Sequence, residues 1–542
     1  MWSTRGYPWT WVAIGIASVV AVPIAAVVSS LARPRVEVWL HLWRTQLVEL
    51  VVNTLLLMAG VGTGTLVIGA ALAWLVVHYR FPGRGLFEWA LILPLAVPAY
   101  VIGFAFMGLF DFAGPFQSAL RRGLGQGLRL PEIRSYGGVV LMMTLVFYPY
   151  VYLLARVAFR EQGMAGLETA RTLGRSRLGA FLHVTLPLAR PALAAGVALA
   201  MMEALADFGT VATFGYRTLT EAVYRVWHGM FDRAAATQLA SLLLLFALAL
   251  MLLERRSRGR ARFAETRRRG PLPSPVRLVG WQAAAATTTC LAVLTLAFLL
   301  PVGQLAWWGA GALRARQVAP DFVALLGRTC ALALATAVVA CLLAVLLAYA
   351  GRLHATSPVR LASQFASMGY ALPGAVIAVG VLLSLAWVDH TIVPVLERGL
   401  GRPLGLLLTG SAAGLILAYL VRFLAVSLQS VEAGLGKISP GLDDAARSLG
   451  VGAGGTLRRV HAPLLRGSLL TAIVLVYVET MKEMPATLLL RPLGLNTLAI
   501  EIWERTSEAM WQEASVPALT LVIVGLLPVV ALVHLTTRRS GS

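Results

Sequence analysis

Along most of this chain, apolar residues run unbroken for the length of a membrane-crossing helix, and polar residues gather in short clusters between the runs. Twelve such runs are legible, at 11–31, 50–77, 89–110, 137–155, 191–213, 239–253, 283–305, 325–350, 365–388, 406–428, 467–490 and 516–535. About 20 consecutive apolar residues span the hydrocarbon core of a bilayer. A run of that length reads as a helix, because a helix satisfies its own backbone hydrogen bonds in lipid. The pattern therefore predicts an all-α integral membrane protein with about twelve transmembrane helices. The runs at 191–213 and 467–490 carry charges, and 239–253 is short but uniformly apolar. The first run is long for a cleaved signal and lacks a small-x-small site before the next arginines, so it is expected to stay as a span.

Composition agrees. Of 542 residues, 58% are hydrophobic and only 13% charged, and mean hydropathy is +0.77. A soluble domain carries about a quarter charged residues. The formal charge of +21 raises nucleic acid as a partner. The arginines, however, lie between apolar runs, where cytoplasmic retention and anionic membrane lipids favour them, and no nucleic-acid partner is expected. Placing the N-terminus in the cytoplasm puts 27 lysines and arginines in inside loops against 16 outside, which predicts cytoplasmic N and C termini. Cys290, Cys330 and Cys341 have no metal or disulfide spacing and read as apolar filler.

The basic, proline-containing stretch ERRSRGRARFAETRRRGPLPSPVR (254–277) reads as a cytoplasmic linker. It divides the chain into 1–253, a linker at 254–280, and 281–542. The halves repeat. Shifting by 276 residues lays ETARTLGRSRLGAFLHVTLP (168–187) on DAARSLGVGAGGTLRRVHAP (444–463), with seven of twenty positions identical. The same register pairs Glu203 with Glu479 and Asp207 with Glu483; a shift of 275 pairs Thr54 with Thr329 and Pro98 with Pro373. Six spans per half make the repeats parallel, related by an axis along the membrane normal. Both polar stretches then lie on the cytoplasmic side and suggest a twofold partner there. In each, an acidic residue opens a short helix, Gly174 or Gly450 can take positive φ to end it, and Pro187 or Pro463 marks the turn back to the membrane.

This pattern resembles the EAA loop of ABC-importer permease subunits, with Thr169 for Ala in the first copy and Asp444 for Glu and Ala462 for Leu in the second. The resemblance implies a type I ABC importer permease-like fold. It also implies two copies of a cytoplasmic ABC ATPase coupled through Glu168, Ala170, Gly174 and Pro187 and through Asp444, Ala446, Gly450 and Pro463. A periplasmic or lipid-anchored solute-binding protein is the third implied partner, and membrane lipids surround the whole. The fused halves, MEALADFGTVATFGY (202–216) and VETMKEMPATLLLRPLGLNTLAIEIWE (478–504) look most like the ferric-iron permeases. Thiamine and other small solutes are the alternative cargoes; an ion-coupled secondary transporter or a scaffold without transport are rivals of another class.

Neither lysine, Lys437 or Lys482, sits in a P-loop, and no GxSxG, HExxH or dinucleotide motif occurs in context. The chain is expected to be a translocation subunit, not an enzyme, with no cofactor and no resident metal. His78, His183, His354 and His461 are scattered in loops without ligand spacing. Intramembrane Glu203, Asp207, Glu479 and Glu483 are candidates for a translocation pathway, each pair four residues apart on one helix face. The competing reading is structural pairing, Glu479 with Lys482 and the others with arginines. The outward loops 214–238 and 491–515, with Trp227, Trp503 and Trp511, offer a surface for a solute-binding protein, and most of their aromatics are expected to be interfacial anchors.

Overall fold

The computed structural model describes residues 7–32, 34, 36–125, 131–162, 170, 172, 174, 176–259 and 275–539. Among the described residues, ten helices are long and apolar enough to cross a bilayer. An eleventh crossing is the pair Ala453–Leu464 and Arg466–Lys482, bent by 77°. The last predicted run lies in the helix Trp511–Arg539, which is apolar over Trp511–Leu526. The one strand pairing among the described residues is parallel, Tyr79–Arg80 with Val276–Arg277. It fastens the end of the linker stretch to the residues that follow the helix Leu47–His78.

Four predicted runs are not single helices. Within 89–110, a tight turn of helix at Leu93–Ala96 gives way to Pro98, and the helix Ala99–Phe110 starts afresh. Within 365–388, Gly369–Ala371, Pro373 and the helix from Gly374 repeat that design. The two prolines have nearly the same backbone, φ −58° and ψ 140° at Pro98, φ −58° and ψ 139° at Pro373. Proline lacks the amide needed to continue a helix, yet its fixed φ suits the residue before one. The runs 191–213 and 467–490 break after Ala206 and after Lys482. The run 406–428 becomes helical only at Ala412, where the Ser411 hydroxyl accepts the Gly414 amide.

The repeat is visible in buried polar contacts. Thr54 Oγ1 accepts the amide of Leu219 at 3.1 Å, and Thr329 Oγ1 accepts that of Leu498 at 2.9 Å. Each amide opens a short helix capped by its own threonine, Thr218 or Thr497. A threonine hydroxyl inside a long helix thus satisfies a helix terminus that cannot reach water. Two buried tyrosines hold the segment before Pro98 in place: Tyr148 donates to Leu91 O at 2.8 Å and Tyr152 to Glu88 O at 3.0 Å.

The opening helix of each half crosses to the other. Tyr7–Leu31 packs on Phe322–Leu353, Ser357–Ala366 and Gly374–Thr391. Leu300–Arg314 packs on Ala99–Phe110 as well as on Trp511–Arg539. The first crossing needs Gly380, where a β-carbon would collide with the Pro23 carbonyl oxygen. Apolar surface gives little drive for association within lipid, so such close backbone approach is what secures helix pairs there.

Candidate functional site

The two helix breaks meet across the interface between the halves. At each, a carboxylate side chain caps the helix that follows. Asp207 has φ −78° and ψ 105°, and accepts the Thr210 amide at 2.9 Å and the Thr210 hydroxyl at 2.6 Å. Glu483 has φ −71° and ψ 113°, and accepts the Ala486 amide at 2.9 Å. Non-helical backbone at membrane depth is tolerated where it is buried in protein or lines a cavity, and here it lines one. All four predicted pathway carboxylates, Glu203, Asp207, Glu479 and Glu483, border a single cavity of about 100 Å³. The expectation that each pair shares one helix face is corrected: Asp207 and Glu483 stand just past their helices. The unwound residue lets the second carboxylate of each pair face the same space as the first.

Arg422 and Lys482 border the same cavity, with Tyr100, Tyr150 and Pro98. Arg422 Nη1 lies 2.6 Å from Glu483 Oε2, and Lys482 Nζ lies 2.9 Å from Glu479 Oε1. Structural pairing therefore holds in the second half. In the first half, the Tyr370 hydroxyl donates to Glu203 Oε1 at 3.1 Å, a contact between halves. Lys482 also reaches the Leu95 carbonyl at 3.4 Å. Among the described residues, no three His, Cys, Asp or Glu side chains converge as a metal site. Sequence reasoning missed Arg422, Tyr100, Tyr150 and Tyr370 as members of this group. For Arg422 the signal was present, since a lone cation inside an apolar run needs an anionic partner.

The two polar repeats lie apart from the cavity. Residues 163–169, Glu168 among them, fall outside the described residues. Ala170 is buried against Ala180, with Trp74 and Val184 beside it, and Ala446 is equally buried. Gly174 has φ +83° and Gly450 φ +73°, the left-handed conformation that ends a helix on glycine. Asp444 is exposed beside Arg447, 3.2 Å away. Leu449 at the end of Pro440–Ser448 is 82% exposed. Pro187 and Pro463 do not mark a turn back. Each sits at the start of a resumed helix after one wide turn, Phe181–Thr185 or Leu457–His461. The wider turn relieves the proline of the amide bond it cannot make. In the second copy the sharp bend comes two residues later, at Leu465.

The two copies are held by different chemistry. In the second, Arg352 Nη2 lies 2.7 Å from Asp443 Oδ2, and His461 Nε2 lies 2.7 Å from Asp443 Oδ1. Arg352 also donates to the carbonyls of Leu435 and Ile438, at 2.7 and 3.0 Å. Tyr349 donates to Ala453 O at 2.7 Å. In the first copy the position of Tyr349 is taken by Trp74, whose ring lies 4.3 Å from Phe181 and 3.7 Å from His78. Trp503 packs on Phe208 at 4.9 Å and Trp511 stacks on Phe104 at 6.2 Å, so both serve helix packing.

Residues 65–262 match the family of binding-protein-dependent transport system inner membrane components. Over 492 residues, 90% of each chain, the sequence is 25% identical to the Fe(3+)-transport system permease protein FbpB 2 of Haemophilus influenzae. It is 31% identical over 244 residues, 43% of this chain and 84% of the relative, to the sulfate transport system permease protein CysT of Escherichia coli. It is 29% identical over 229 residues, 40% of this chain and 96% of the relative, to the molybdenum transport system permease protein ModB of the same organism.

Proposed function

Because the chain belongs to the family of binding-protein-dependent transport system inner membrane components, a multi-pass class of ABC importer permeases, we propose that its cargo is ferric iron. One observation carries this reading: four carboxylates from repeat-related positions gather around one cavity between the halves. Two cations oppose them, so the cavity keeps an excess of formal negative charge. Carboxylate and phenol oxygens suit a hard cation, while sulfate would meet repulsion there. The relative matching along nearly the whole chain carries iron in its name; the sulfate and molybdenum relatives match less than half of it.

In this reading a binding protein delivers the cargo from outside, and two copies of a separate ATPase work from the cytoplasm, where both termini lie. Their docking points are the polar stretches around Gly174 and Gly450, the second of which carries the short helix Pro440–Ser448. In each, a buried alanine lies four residues before a left-handed glycine. ATP-driven closure of the ATPase pair would move these stretches together and swing the halves about their interface. Contacts that bridge the halves at the cavity, Tyr370 to Glu203 and Lys482 to the Leu95 carbonyl, would then part and re-form. Conduction needs binding weak enough to release.

The test is uptake into proteoliposomes holding the chain, the ATPase of the neighbouring gene and its binding protein. Labelled Fe(III), thiamine and sulfate are supplied in parallel. ATP-dependent iron uptake that vanishes without the ATPase is the expected result. Thiamine or sulfate uptake alone would overturn the cargo and keep the importer. Iron uptake driven by an ion gradient without the ATPase would establish a secondary transporter instead.

A further inference from the structure

The backbone around the cavity repeats between the halves, but its positive charges do not. Lys482 falls on Ala206 in the 276 register, and Arg422 falls on Val146 or Phe147 in the two registers of the repeat. All three apolar residues border the same cavity. The second half therefore neutralises its own pair, Glu479 through Lys482 and Glu483 through Arg422. Glu203 accepts from the Tyr370 hydroxyl, and Asp207 from the amide and hydroxyl of Thr210. Among the described residues neither has an ion-pair partner. A third oxygen joins them. Tyr100 is 7% exposed and borders the cavity, and among the described residues its hydroxyl has no hydrogen-bond partner. A buried hydroxyl left unpaired is costly and calls for a ligand or an ordered water.

We infer that Glu203, Asp207 and the Tyr100 hydroxyl form a transient site for a multivalent hard cation, and that Arg422 is a built-in competitor that sets its affinity. The inference deepens the cargo reading above and rests on it. Three oxygen donors on one side of a small cavity offer an incomplete shell, which water completes. The cation would shed part of its hydration on the first-half side, while Arg422, paired with Glu483 at the same cavity, keeps binding weak. Release follows when the halves move and Arg422 approaches the site.

The experiment uses the full chain with its ATPase in nanodiscs and terbium(III) alone as the probe, read by luminescence sensitised through the nearby tyrosines. Glu203→Gln with Asp207→Asn should weaken binding at least about tenfold, because two formal charges leave a low-dielectric site. Ala206→Lys, which recreates the Glu479–Lys482 spacing at Glu203, should weaken it by a similar factor. Glu479→Gln with Lys482→Gln removes an ion pair and keeps the net charge, so it should change affinity less than about threefold. Arg422→Gln should tighten binding about tenfold by the same reasoning. Since Arg422→Gln strands Glu483, the double change Arg422→Gln/Glu483→Gln keeps the net charge and should bind as the unaltered chain does. Terbium binding by the unaltered chain no stronger than by a variant with all four carboxylates converted to amides would overturn the site. So would equal losses from Glu479→Gln/Lys482→Gln and from Glu203→Gln/Asp207→Asn. Iron uptake in the same samples separates the two claims: transport intact in Glu203→Gln/Asp207→Asn sinks the site alone, whereas no iron uptake by the unaltered chain sinks the cargo and the site together.

Discussion

Replacing Arg352 by methionine should free the short helix Pro440–Ser448 from the membrane body without unfolding the rest. The magnitude follows from what the guanidinium holds. It bonds Asp443 through Nε at 2.9 Å and Nη2 at 2.7 Å, and it satisfies the carbonyls of Leu435 and Ile438. The side chains are 16% and 22% exposed. Breaking a fully buried pair by removing one partner costs about 3–5 kcal/mol. The partial exposure here lets water reach Asp443, so about 2–4 kcal/mol is the fair expectation. At about 1.4 kcal/mol per decade, amides of Pro440–Ser448 should exchange roughly 30- to 700-fold faster. Hydrogen exchange in nanodiscs reads this directly, with Leu498–Ser507 as the internal reference that should not change. The double variant Arg352→Met/Asp443→Asn should cost less than the sum of its parts by at least about 1 kcal/mol, because both changes remove one interaction. Acceleration below about threefold, or strict additivity of the pair, would refute the claim that this ion pair anchors the helix.

Gly174→Arg together with Gly450→Arg should leave the spans inserted but abolish co-purification with the ATPase. A left-handed backbone costs a residue with a β-carbon about 1–2 kcal/mol, and the added side chains occupy the space a docked partner needs; normal co-purification and transport would sink the docking assignment. Thr54→Val and Thr329→Val should each destabilise the chain by about 1–3 kcal/mol by stranding the amides of Leu219 and Leu498, seen as lower melting temperatures of similar size; no shift in either would mean these bonds do not hold the short helices. Gly380→Ala should destabilise by about 1–3 kcal/mol through collision with the Pro23 carbonyl, and the loss should be measured as reduced protection of Tyr7–Leu31; unchanged protection would argue that the crossing helix is not held there.

Much of the site was legible because the repeat is local in sequence. The two polar stretches align without gaps, and glycine at 174 and 450 announces a backbone that other residues resist. The four carboxylates stood out because charge inside an apolar run is costly and rarely accidental. The helix breaks beside them were not legible. Asp207 sits between Ala206 and Phe208, and Glu483 follows Lys482 within a largely apolar run; hydropathy cannot distinguish a continuous helix from one interrupted where the interruption is buried. What stabilises the break is a capping bond three residues on, together with packing from distant helices. Arg422 was visible as a charge but not as a partner, since Glu483 is far along the chain and no periodicity links them. The crossing of Tyr7–Leu31 to the second half left no local trace either, because its contact depends on one small residue, Gly380, in another helix.

The departures from symmetry follow from the covalent joining of the halves. In an importer body built from two identical chains, every residue beside a central cavity appears twice, related by the twofold axis. Duplicating Arg422 and Lys482 would bring four cations to four carboxylates and cancel the formal charge. Omitting both would leave four carboxylates crowded around a cavity of about 100 Å³, an arrangement whose mutual repulsion in a low-dielectric setting would be severe. A single chain escapes this choice, because each half can change alone. The second half keeps neutralised carboxylates that cap a helix and hold the interface, and the first half keeps carboxylates without cationic partners. The two polar repeats diverge in the same way: the second is fixed by Arg352, Asp443 and His461, whereas in the first Ala170 and Ala180 pack beside Trp74. The shared backbone preserves the repeat, while the side chains of each half are free to differ.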